Sequence, residues 1–213
     1  MHALSVTDRA QESGNRREPS APVAVGAALI VGLAVGGVTA PAQGWLPDNF
    51  GSLANSAGPW ALVAFLVALT TRRVFLSAVV AAVALMAMEI GYAISTVIRG
   101  GSNSSSTVAF WLLAALIAGP AVGVAAAWTR SGHPVRTGLG IGLITGVLVG
   151  EGIHGLTAVA DTTYPPYWIG EIVAGAVVLV VGSLVLRKPL TLAAALGSAA
   201  LVAAVVVAAA KVA

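Results

Sequence analysis

Apolar windows recur along the whole chain, separated by short polar turns. They place spans near residues 22–40, 57–71, 74–98, 107–128, 137–159, 167–186 and 190–210. Each approaches the ~20 residues an α-helix needs to cross a ~30 Å hydrocarbon core. The second is short and the third long, so their tilts must differ. The runs are continuously apolar rather than alternating, which reads as helices and not as barrel strands. The pattern predicts an all-α, polytopic transmembrane bundle of about seven spans (six to seven). Residues 1–20 lack this periodicity and carry Asp8, Arg9, Glu12, Arg16, Arg17 and Glu18. They read as a disordered cytoplasmic tail, leaving 21–213 as one transmembrane domain. The first apolar run exceeds the ~7–15 residues of a signal peptide's core and is followed by Pro41, so it reads as an uncleaved span.

Composition agrees. The chain of 213 residues is 58% hydrophobic and 9% charged, whereas a soluble domain carries about 25% charged residues. Lipid must therefore be its main partner, and the cell membrane its place. Cysteine is absent, which excludes disulfides, thiolate metal sites and cysteine catalysis. The net charge of +3 comes from dispersed helix-end residues, so it is no nucleic-acid footprint. Nine of the 11 Lys and Arg fall on one side: Arg9, Arg16, Arg17, Arg72, Arg73, Arg130, Arg136, Arg187 and Lys188. Only Arg99 and Lys211 fall on the other. The positive-inside rule then puts the N-terminus in the cytoplasm.

Trp60, Trp111 and Trp168 stand near the outer starts of inward-running spans, where such rings anchor at the headgroups. Spans 2–3, 4–5 and 6–7 thus share a rhythm: outer Trp, basic turn, return. Two returning spans carry a glutamate at similar depth, Glu89 and Glu151, followed at i+3 by Tyr92 and His154. The expectation is a hairpin repeat with one degenerate copy, of a kind known in transporters. Aromatic belts and basic turns would give the same rhythm in an unrepeated bundle.

Outside the tail the acids are Asp48, Glu89, Glu151, Asp161 and Glu171. At 1.5 Å per residue, Glu89 and Glu151 sit roughly 22–24 Å from their cytoplasmic ends, and Glu171 roughly 6 Å below the outer surface. Three glutamates on three spans therefore share one level. A charge facing lipid costs several kcal/mol, so these should face the bundle interior or a wet outer cavity. Glu89, Tyr92, Glu151, His154 and Glu171 are the candidate ligand or ion site. Beneath it, Gly138, Gly142, Gly146 and Gly150 form an i+4 ladder that lets a neighbouring helix approach closely.

Glu151 and His154 have the Glu-x-x-His spacing of carboxylate metal sites, making them the candidate metal ligands. The same groups suit a proton or cation relay, or structural hydrogen bonds between helices. The 41–59 connection is long and rich in Gly, Pro and Asn, as lids and binding loops are. Pro120 falls inside the fourth span and is expected to kink it. There is no HExxH, GxSxG or P-loop, and no cofactor motif. The segment LANSAGPWALVAFLVALTTRR (Leu53–Arg73) resembles bacterial multi-pass membrane families of unknown function, over about a tenth of the chain. That resemblance implies no activity. The small apolar bundle also resembles the substrate-capturing subunits of vitamin uptake systems, without a motif of theirs. Three functions follow: a small-solute or ion transport component with an outward-facing acidic site, an accessory or structural membrane protein, or a membrane-embedded metal enzyme.

Overall fold

The computed structural model describes residues 18–186 and 188–210. Most of the expected tail, with Arg9, Arg16 and Arg17, lies outside the described residues, as do Arg187 and Lys211. Helix α1 runs over Ala21–Trp45, α2 over Ala57–Ala68, α3 over Val74–Ile98, α4 over Ser105–Thr129, α5 over Pro134–Ala158, α6 over Pro165–Leu186 and α7 over Pro189–Ala210. No strand occurs among the described residues. Six helices are long and apolar enough to cross a membrane. The chain is an all-helical, multi-pass membrane protein.

The second span departs from the sequence expectation. It is no single helix: a 3₁₀ segment, Asp48–Asn55, meets the 12-residue α2 at Ser56 with a bend of 56°. The turn chemistry explains the break. Asn55-Ser56-Ala57-Gly58-Pro59 holds Ser56 extended, at φ −106° and ψ 135°, and Pro59 suits a first helical turn because it needs no N–H partner. α2 alone rises about 18 Å and the 3₁₀ segment about 16 Å, so the bent pair suffices for one crossing. The long connection after the first span is therefore structured, and α1 continues through Pro41 before it starts. α4 likewise runs unbroken through Pro120.

The glycines explain the packing. A Cβ on Gly138, Gly142, Gly146 or Gly150 would meet α7 at Thr191, Ala195, Ala199 and Ala203 in turn. The ladder thus receives the last helix along its whole length, with backbone carbonyls of α7 lying over the missing side chains. Ser198 adds a hydrogen bond to the Leu139 carbonyl, 3.1 Å. In the first half, Gly32 and Gly36 face Ala84 and Met88 of α3 in the same way. Contact partners lie 52 positions apart in the first pair and 53 in the second, and both pairs ascend together. α1 and α3 are therefore parallel, as are α5 and α7. A parallel contact requires an intervening crossing, which the bent second span and α6 supply.

The resulting order is two three-helix units, α1–α3 and α5–α7, joined by α4. This is a different periodicity from the hairpin repeat expected from the sequence. Tryptophan placement differs as well. Trp168 is buried, its ring lying over Gly155 and its Nε1–H donating to Thr163 Oγ1 at 2.8 Å. It packs helices together rather than facing lipid headgroups. Trp111 is exposed, as an interfacial ring would be.

Turns at the basic end are tied to one another. The Arg72 N–H donates to Glu18 Oε1 at 2.6 Å, and the Arg130 guanidinium donates to the Leu69 carbonyl at the end of α2. The start of α1, the α2–α3 turn and the α4–α5 turn therefore share one end, as alternating spans require.

Two predictions follow from these contacts. Gly142→Leu forces side-chain atoms into Ser198 and the Ala195 backbone, and should cost about 1–3 kcal/mol. Gly197→Leu on α7, with nothing within 4 Å, should change the melting temperature in detergent little. The second concerns acid. The Arg72 and Arg73 backbone N–H groups, and then their charges, hold the exposed Glu18 carboxyl below its ordinary 4.5. A depressed carboxyl contributes stability above that ordinary value and loses it as pH falls through the folded one. Glu18→Gln should melt below the wild type at neutral pH, and the two curves should converge on acidification below 4.5.

Candidate functional site

A helix that starts inside a bundle leaves its first N–H groups without partners. At α2 the usual remedy is missing, because Ser56 occupies the N-cap position but makes no side-chain cap bond. A carboxylate from another helix takes its place. Glu151 of α5 accepts the Ala57 N–H on Oε1 at 2.8 Å, and the Gly58 N–H on Oε2. The positive end of the helix dipole favours an anion there. Gly58 is glycine for a steric reason: its Cβ would stand 2.7 Å from Glu151 Oε2 and closer still to Glu171.

Ser56 is freed to serve the second carboxyl. Its hydroxyl lies 3.4 Å from Glu171 Oε1, a long hydrogen bond. Glu171 comes from α6 and is only 7% exposed. Its carboxyl lies against that of Glu151, and the Tyr167 phenol stands beside Ser56 and both acids. Glu171 Oε2 is buried and has no hydrogen-bond partner. The cluster is thus Ser56, the Ala57 and Gly58 N–H groups, Glu151, Tyr167 and Glu171. It lies where the 3₁₀ segment and α2 of the first unit meet α5 and α6 of the second.

Of the residues expected from the sequence, Glu151 and Glu171 come together and the others do not join them. Glu89 is buried on α3 at 5% exposure; burial alone acts on its carboxyl, with no charged group facing it. Tyr92 turns to Gln43, whose Nε2 lies 3.4 Å from its hydroxyl, and its ring meets Trp60 edge-on at 6.3 Å. Gln43 also donates to Asn55 Oδ1 at 2.6 Å and the Ala54 carbonyl at 3.3 Å. Tyr92 therefore helps hold the 3₁₀ segment rather than pairing with Glu89. His154 is half-buried one turn beyond Glu151 and is not among the groups acting on Glu171. Among the described residues no group of three His, Cys, Asp or Glu stands close enough to hold a metal ion.

Sequence reasoning missed Ser56, Gly58 and Tyr167. The helix-start signal NSAGP was visible, but nothing local says that a carboxylate 93 residues further on would cap it.

A six- or seven-span helical membrane protein, built from two glycine-packed units around a bent helical segment with a half-buried and a buried carboxyl side by side, is the class these features define. The chain belongs to the family of unknown function DUF6518, whose profile matches residues 15–213. No curated protein and no solved structure matches it.

The cap has a measurable consequence. Glu151→Ala leaves the buried Gly58 N–H without its acceptor, at a cost of about 1–3 kcal/mol, and the exposed Ala57 N–H loses less. Glu151→Gln keeps one acceptor oxygen and should lose less. Melting temperatures in detergent should rank wild type, Gln, Ala; an Ala variant as stable as the parent would show that the N–H groups have another partner.

Proposed function

We propose that the protein is a small-solute or ion transport component whose working site is the acid pair Glu151–Glu171 at the seam between its two three-helix units. One observation carries this reading: the apolar segment before α3 is bent by 56° at Ser56, and the amide end of α2 created there is aimed at the ionisable side chain of Glu151 from the other unit. Broken spans at repeat interfaces are where transporters hold their solutes and coupling ions. Maintaining two carboxyls beside each other in a bundle is costly for a helix contact alone. By the positive-inside rule the acid pair lies toward the outer side.

A second reading has its own support. Both oxygens of Glu151 accept backbone N–H groups, so this carboxylate already has a structural task, as in an accessory membrane protein. A metal-dependent enzyme would need a third ligand beside Glu151 and His154, and no described His, Asp or Glu completes such a group.

The test is a thermal-shift screen of wild type, Glu151→Gln and Glu171→Gln in detergent, against small solutes, metal ions and pH. A transport component should show a ligand that raises the melting temperature of the wild type and of neither variant. Silence across the panel, with Glu151→Ala still destabilised, would favour the accessory role.

A further inference from the structure

We propose that Glu151 and Glu171 together hold one exchangeable proton, and that a proton rather than a metal cation is the ion this site takes. This rests on the transport reading and names its ion. Glu151 has committed both oxygens to N–H donors. Glu171 reaches Ser56 through Oε1 and has a second, buried oxygen with no partner. Two adjoining carboxyls, one of them buried, resist being ionised together. One proton between them converts the repulsion into a short O–H···O⁻ bond. The Glu171 carboxyl, whose Oε2 has no other partner, is the group left to carry it and donate to Glu151.

A metal ion fits less well. Calcium takes about 6–8 oxygen ligands, and magnesium a near-ideal octahedron; no three acidic or imidazole groups gather here among the described residues. The positive end of α2 also points into the same space. The remaining ionisable group against the pair is Tyr167. Helices α2, α4 and α7 carry no ionisable residue, and the Asp48 of the 3₁₀ segment is exposed. Elsewhere on α5 there are only Arg136, near its opposite end, and His154, one turn on from Glu151.

The proton balance is simple. A second proton, taken from water, neutralises Glu151 and removes the anion at the start of α2; releasing it to water restores the cap. Occupancy of the site is thereby linked to how firmly α2 is held against α5.

Infrared spectroscopy of the full chain in lipid nanodiscs tests this at neutral pH. The wild type should show the C=O stretch of a protonated carboxyl, shifted down in D₂O. Because the buried Glu89 can add a band of its own, Glu89→Gln should keep a protonated-carboxyl component, and Glu171→Gln in that background should remove it. Glutamine at 171 preserves volume and can still donate to Glu151, and circular dichroism with melting checks that the variant folds. The proposal is overturned by a wild type without the band, by a band that disappears in Glu89→Gln alone, or by a band that Glu171→Gln leaves unchanged in the Glu89→Gln background. Saturable Ca²⁺ or Mg²⁺ binding by calorimetry that is lost in Glu171→Gln would overturn it too. A band at Glu171 without any solute response keeps the proton site while removing the transport reading; a solute response without the band does the reverse.

Discussion

A helix that begins within a membrane bundle must find acceptors for N–H groups that neither its own backbone nor lipid can satisfy. Everything distinctive about this protein gathers around one such helix start. The 12-residue α2 ends short of one face of the bundle, and its first amides are received by Glu151 from a helix of the other unit. Its far end is received by Arg130, which donates to the Leu69 carbonyl. An anion at the N-terminus and a cation at the C-terminus both complement the helix dipole. The short helix is thus held from outside at both ends, by charges carried on α5 and on the turn after α4.

That arrangement demands that α5 be fixed in depth and rotation. The glycine ladder provides this. Each glycine admits a backbone carbonyl of α7 to contact distance, which favours close packing and weak C–H···O contacts over side-chain interdigitation. On its other faces α5 receives α4 at Gly140 and α6 at Gly152 and Gly155. With helices on several sides, Glu151 cannot turn away from α2 without disturbing the packing of α5. The ladder and the ionisable groups beyond it belong to one device: small residues set the helix, and the helix sets the carboxylate.

Much of this was legible in the sequence. Apolar windows placed the helices to within a few residues, because lipid imposes length and continuity on every span. The Gly138–Gly150 ladder announced a close partner, since its i+4 spacing is read directly from the helix period. Less legible was the break at Ser56, where the window at 57–71 looked like a short but whole span. Common depth also misled: Glu89 was expected at the level of Glu151 and Glu171, yet among the described residues no charged group faces it, because depth along a helix leaves rotation open. The pairing of Glu151 with the Ala57 and Gly58 amides depends on how two units dock, which no local pattern encodes. Tyr92 shows the same limit, since the sequence placed it in the acid site and tertiary packing gave it Gln43 instead.

The Glu151 carboxylate holds the start of α2 across the seam. Hydrogen exchange at the Ala57 and Gly58 amides tests it most directly, measured on the full chain in nanodiscs for wild type and Glu151→Ala. The account predicts protection at both amides approaching that of the α2 interior, and its selective loss in the variant while α5 and α7 stay protected. Rapid exchange at both positions in the wild type, or protection unchanged by the substitution, would contradict it.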